Sequence, residues 1–283
     1  MFRADAEHTG VFDNTGIIPA TNETWQYVTT GVIYSSPAVS DDVVYVGNYN
    51  GNLYAIDALT RNLKWRFQKV GAFTSSPAVL KEVVYIGCGD TRIYAIDALT
   101  GEEKWHFITG AEVISSPAVL NGVVYIGSND NYLYAIDAST GDEKWKFKTE
   151  ADVRSSPAVS NGIVYVGSDD GNLYAVDAVT GKEKWQFATN GIVYSSPAVS
   201  NGVVYVGSDD GNFFAIDAVT GNEKWEVPTG GGVRSSPAVS NGVVYFGSDS
   251  KNLYAINAGT GKEKWKFPTG GGVRSSPAVS NGV

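Results

Sequence analysis

The chain has 283 residues, a formal net charge of −9 and only 21 Lys and Arg, so neither a nucleic-acid groove nor an anionic membrane surface is an expected partner. It holds no run of 18 apolar residues, so no membrane span is expected. Cys88 is the only cysteine, which rules out an intrachain disulfide, and no signal-peptide pattern precedes the first patterned segment.

In chain order, residues 1–16 show little pattern alone, and residues 17–24 lead to Trp25. From there the chain repeats. Trp25, Trp65, Trp105, Trp145, Trp185, Trp225 and Trp265 stand 40 residues apart, and a Ser-Ser-Pro triplet keeps the same beat from Ser35 to Pro277. A fixed period of this size marks a repeat architecture. Residues 151–190 illustrate one copy. A short run over 153–160 (strand A) ends at Asn161-Gly162, which suits a type I′ hairpin. The β-branched and aromatic run 163–167 (B) ends at a Ser-Asp-Asp-Gly turn, and 172–177 (C) ends at Thr180-Gly181. Residues 183–187 (D) alternate polar and aromatic, as a one-sided outer strand should.

Four short antiparallel strands per ~40 residues predict a propeller blade. Small Ser-Ser-Pro-Ala residues suit inner strands that converge on an axis. Pro belongs on the channel-facing edge, and Trp supplies bulk where blades diverge. Serine is read here for its size.

The last Ser-Ser-Pro strand, within 273–283, has no B, C or D after it, whereas residues 1–16 read as a diverged B, turn, C and Thr-Gly turn. The expectation is therefore an all-β, single-domain, seven-bladed propeller over 1–283. Its closing blade takes strand A from 273–283 and strands B, C and D from 1–30, which removes an open edge. Deleting residues 1–13 should then weaken the protein greatly. A disordered arm beside an incomplete last blade predicts little effect.

Residues 95–105 (Ala-Ile-Asp-Ala-Leu-Thr-Gly-Glu-Glu-Lys-Trp) resemble the tryptophan-docking motif of the pyrroloquinoline-quinone-type propeller repeats. The pattern recurs at 135–145, 175–185 and 215–225. Arg61 replaces Gly in 55–65, Asn257 replaces Asp in 255–265, and 15–25 keeps only Thr15-Gly16 and Trp25. The resemblance implies that each Trp stacks between adjacent blades against backbone at the Ala and Gly positions. The opening Met1-Phe2-Arg3 and His8-Thr9-Gly10 are also similar to the mature start of many members, which implies an extracytoplasmic location.

The residues give little support to four chemistries. Quinone-dependent dehydrogenases of this resemblance use a vicinal Cys pair, a calcium and a catalytic Asp. This chain has one Cys, so no cofactor and no enzymatic activity are expected. Ser-Asp-Asp-Gly-Asn at 168–172 and 208–212 hints at an oxygen-rich metal loop, but Asp-Gly is turn chemistry, and no metal is expected. His8 and His106 do not form a zinc set. His106 falls on an outer strand, away from the inner Ser-Ser pairs, so acyl transfer is unsupported.

The informative variation lies between strand D and the next strand A. The position before Ser-Ser-Pro reads Tyr34, Thr74, Ile114, Arg154, Tyr194, Arg234 and Arg274. Up-and-down strands place this loop and the B–C loop on one face, at the channel mouth. The candidate binding face is Tyr34, Phe73, Ile114, Arg154, Tyr194, Arg234 and Arg274, because Tyr and Arg favour interaction hot spots and loops on rigid scaffolds carry function. The leading expectation is a monomeric, non-catalytic scaffold for a protein or peptide. Alternatives are a carbohydrate-binding propeller using Tyr34, Phe73 and Tyr194, and a recently amplified repeat with no selected ligand.

Overall fold

A computed structural model describes residues 5, 7, 8, 11–12 and 25–280. The described regular structure is all β, and no helix is long and apolar enough to cross a membrane. Six sheets of four consecutive antiparallel strands follow one another. Blade 4 contains Ala158–Ser160, Ile163–Gly167, Asn172–Asp177 and Glu183–Ala188. The others begin at Ala38, Ala78, Ala118, Ala198 and Ala238. In blades 3–6 the A–B hairpins turn on Asn-Gly: Asn161 and Gly162 hold φ of 49° and 75°, both positive as a type I′ turn requires, and Asp41-Asp42 and Lys81-Glu82 hold positive φ at the same positions. Each C–D pair carries a register shift, at Ala175/Val176 in blade 4, which bends the outer strand.

The apolar cores lie between blades. Tyr165, Leu173 and Trp185 of blade 4 pack with Val204, Phe214 and Ile216 of blade 5. Around the axis, the second serine of each triplet joins neighbouring inner strands. Ser116 N donates to Ser156 Oγ at 2.9 Å, Ser156 N to Ser196 Oγ at 2.9 Å, and Ser196 N to Ser236 Oγ at 3.0 Å. The first serine ties strand A to its own blade, with Gly167 N donating to Ser155 Oγ at 3.1 Å. Size alone was therefore too weak a reading of the serines, since their hydroxyls satisfy buried amides in the narrow centre. Ser156→Ala leaves the Ser116 amide without its acceptor and is expected to lower stability by about 1–3 kcal/mol in urea denaturation.

The seventh blade does not form as expected: six blades are seen. Val279–Ser280 pairs with Val11–Phe12, and the pairing is parallel, Val11 opposite Val279 and Phe12 opposite Ser280. Strand C is antiparallel to B and hence parallel to A, and Val11–Phe12 falls where the repeat alignment places strand C. That segment lies directly against the terminal A strand and also touches Ala238–Ser240, the inner strand of blade 6. Most of the expected B and C residues, 1–4, 6, 9–10, 13–24 and 281–283, lie outside the described residues.

The expected D segment has no sheet partner among the described residues, but Trp25 and Tyr27 pack against Val46, Tyr54 and Ile56 of blade 1. On the far side of the array, Glu263–Pro268 is exposed along its whole length.

Glu7 reaches the channel wall. Its carbonyl accepts Val199 N at 2.8 Å, and its Oε1 accepts Ser160 Oγ at 2.6 Å. Deleting residues 1–13 removes both bonds and the parallel pair. The expected loss is about 1–3 kcal/mol at roughly 0.5–1.5 kcal/mol per bond, read as a lowered denaturation midpoint.

Candidate functional site

The D–A and B–C loops are bonded to one another at one mouth of the channel. Within blades, Asn129 N donates to Glu112 O, Asp169 N to Asp152 O and Asp209 N to Ile192 O, each at 2.9 Å. Between blades, Val153 N donates to Ser128 O at 3.0 Å and Val193 N to Ser168 O at 3.1 Å. These bonds fix the backbone from which the variable side chains project.

Three expected residues meet there. Tyr194 lies between two guanidinium groups, with Arg154 5.6 Å and Arg234 5.2 Å from its ring centroid, a contact worth about 0.5–1 kcal/mol at an exposed site. Arg154 also bonds the Tyr194 hydroxyl and pairs with Asp152 at 2.7 Å and Asp169 at 3.2 Å. Arg234 grips Asp209 through Nε and a terminal nitrogen, both at 2.8 Å. Arg274 does the same to Asp249, at 2.9 and 3.1 Å.

Read from the sequence, Asp169 and Asp209 are turn residues, and none of these aspartates is paired with an arginine. The signal was present as an Asp 25 residues before an Arg, at Asp209/Arg234 and Asp249/Arg274. Arg274 draws the Asp249 carboxyl below its ordinary range. Burial raises that of Asp169, aided by Asp152, Asp209 and Asp170 and opposed by Arg154. Exposed pairs of this kind contribute little to stability; here they hold the arginines in place.

The other side of the mouth is different. Tyr34 and Tyr49 meet edge to face at 5.9 Å, and Ile114 shares a cleft with them. Phe73 is not on the face. It is fully buried and packs with Phe67 at 6.2 Å and Tyr94 at 6.3 Å. It occupies the slot filled by Val113 and Val153 in later copies, and Thr74 is the residue that lines the mouth.

At the blade junctions, Trp65, Trp105, Trp145, Trp185 and Trp225 donate from Nε1 to the carbonyls of Ala98, Ala138, Ala178, Ala218 and Ala258 in the next blade. The strand-B tyrosine joins the same acceptor, as with Tyr165 Oη to Ala218 O at 3.0 Å. Sequence reasoning missed this tyrosine, although it too recurs every 40 residues. Trp25 instead packs on blade 1, and Trp265 is 45% exposed. Asn257 still accepts the Gly259 and Thr260 amides, so the turn survives its loss of charge.

The residues do not fit a quinone site. Cys88 is buried, its thiol is pushed up to about 12 by burial, and Sγ donates to Gly71 O at 3.3 Å. The loop carboxylates serve their own turns: Asp170 accepts Asn172 N at 2.9 Å, Tyr174 Oη at 2.8 Å and Glu150 N at 3.0 Å. Among the described residues no three His, Cys, Asp or Glu side chains are grouped to hold a metal. His106 lies exposed on an outer strand beside Glu103.

Comparison with known proteins places the chain. The family model described as outer membrane protein assembly factor BamB matches residues 19–107, 70–157, 130–232 and 227–283. No curated protein matches. Among solved structures, BamB from Moraxella catarrhalis superposes with a TM-score of 0.80 at 21% identity, covering 90% of this chain and 82% of that one. A europium-containing methanol dehydrogenase gives 0.63 at 14% identity, covering 98% and 86%. The computationally designed Ika8 protein gives 0.66 at 19% identity, covering 88% and 90%. These structural likenesses show the fold alone. The family model spans nearly the whole chain, and the chain belongs to the BamB family of pyrroloquinoline-quinone-type propeller repeats.

Proposed function

We propose that the protein is a non-catalytic scaffold that binds a protein or peptide through the D–A and B–C loops at one channel mouth. The observation that carries this reading is the contrast between frame and face. The frame repeats residue by residue, while the mouth position changes through Tyr34, Thr74, Ile114, Arg154, Tyr194, Arg234 and Arg274. A rigid frame that presents Tyr and Arg suits macromolecular recognition. The family's description as an outer membrane protein assembly factor supports protein partners and an extracytoplasmic site of action. The europium-containing dehydrogenase has a similar fold, but Cys88 is single and buried here, which supports the non-catalytic alternative.

The test is affinity capture from the native source beside a variant with Tyr34, Arg154, Tyr194, Arg234 and Arg274 changed to Ser. The expected result is a partner retained by the parent and lost by the folded variant. Equal capture by both would move the site off this face.

A further inference from the structure

The two halves of the mouth differ in charge balance. Around blades 4–6, each of Asp152, Asp169, Asp209 and Asp249 has an arginine beside it. Around blades 1–3 the mouth opens into a cleft of about 730 Å³, lined by Tyr34, Tyr49, Val70, Asp90, Glu112 and Ile114 among others, with no Lys, Arg or His in its wall. Tyr34 and Tyr49 are 68% and 59% exposed. Glu112 occupies the loop position that Asp152 holds one blade later. Asp152 has Arg154 two residues on, whereas Glu112 has Ile114, and among the described residues no cation lies within ion-pair distance of it.

Asp90 has fewer hydrogen bonds than its counterparts, although Arg92 stands beside it. In later blades this carboxylate accepts the amide two residues on and the amide of the preceding D–A loop: Asp170 accepts Asn172 N and Glu150 N, and Asp210 accepts Asn212 N and Asn190 N. In blade 2, as in blade 6, the ladder runs one pair further, with Arg92 opposite Cys88, while Thr91 keeps the positive φ of this turn position at 71°. Asp90 keeps the Tyr94 hydroxyl at 2.6 Å and a longer pair with Arg92 at 3.6 Å, but its Oδ1 is buried without a hydrogen-bond donor.

We infer that this cleft receives a basic side chain, Lys or Arg, carried on an apolar stretch of a partner peptide. Glu112 supplies the opposite charge at the rim and Asp90 a second carboxylate behind it. The exposed tyrosine pair offers ring faces to the cation, and Val70 and Ile114 take the methylene stem. The arginines of the opposite half are held by their own aspartates and do not compete for the acids of the cleft. This assignment rests on the scaffold reading and names the partner's chemistry.

The test uses the whole chain and three capped tripeptides: acetyl-Ala-Arg-Ala-amide and its norleucine and glutamate counterparts. Binding is followed by titrating tyrosine ring NMR signals. The arginine peptide is expected to bind about tenfold more tightly than the norleucine peptide, the scale of one exposed ion pair plus one cation–π contact. Glu112→Gln and Tyr34→Ser are each expected to remove most of that preference, and added salt to weaken it. Val179→Ser, in an exposed turn at the other end of the blade, should leave it unchanged. Unaltered thermal midpoints establish that the variants are folded.

Equal affinity for the three peptides would overturn the assignment. So would a preference that survives Glu112→Gln, or saturable binding of maltose in place of the arginine peptide. Capture lost in the five-serine variant without an arginine preference sinks the cleft and leaves the scaffold standing. An arginine preference with no captured partner does the reverse.

Discussion

Trp185→Ala is expected to destabilise the protein by about 3–5 kcal/mol, the range for emptying a buried large aromatic site. Trp185 is only 9% exposed, packs 5.8 Å from the Tyr165 ring and donates to Ala218 O at 3.2 Å. Truncation therefore opens a cavity between blades 4 and 5 and leaves the Ala218 carbonyl with the Tyr165 hydroxyl alone. Trp265→Ala is the internal control. Trp265 has the same place in its repeat but is 45% exposed on a strand that no further blade covers among the described residues. Its expected cost is under about 1 kcal/mol, as for an exposed substitution. Chemical denaturation of the two variants reads the difference. Equal losses would mean that the blade 6 flank is covered in solution.

Gly221→Ala carries the second large effect, for the same junction seen from the other blade. Gly221 holds φ at 74°, and a Cβ there would stand 2.8 Å from Trp185 Cγ and Cδ2. The left-handed backbone costs a non-glycine residue about 1–2 kcal/mol, and overpacking the ring adds about 1–3 kcal/mol. Arg61 holds a φ of 67° at the matching position of blade 1, so the backbone term alone is tolerable and the ring contact decides. A double-mutant cycle separates the two. In a Trp185→Ala background, Gly221→Ala should cost only the backbone term. An unchanged cost in that background would mean that the ring does not press on the glycine.

Much of the frame was legible because each local rule was repeated. Asn161-Gly162 announced its hairpin, the run Ile163-Val164-Tyr165 its strand, and alternation around Trp185 its one-sided outer strand. What the residues did not disclose was partnership across blades. The Ser156 hydroxyl looks like a small side chain until the amide of Ser116, 40 residues away, is placed on it. Asp209 looks like a turn residue until Arg234 of the next D–A loop reaches it. Phe73 drew attention as an aromatic in a variable loop, yet its backbone position is the one that fills the gap between blades, so the ring is buried. The closing blade failed for a different reason. Residues 1–16 match the repeat only loosely, and among the described residues the partner of Val279 is Val11, in a parallel pair.

The central claim is that the channel mouth bearing Tyr194 is where a partner sits. The most direct measurement replaces Tyr194 with a photo-crosslinking benzophenone residue and, in a separate protein, does the same at Val179. Val179 lies in the C–D turn at the other end of the blade, where Ala178 N is bonded to Gly162 O. Irradiation in extracts of the native source is expected to attach a discrete protein or peptide from position 194 and none from position 179. A crosslink from 179 alone, or the same product from both, would contradict the account.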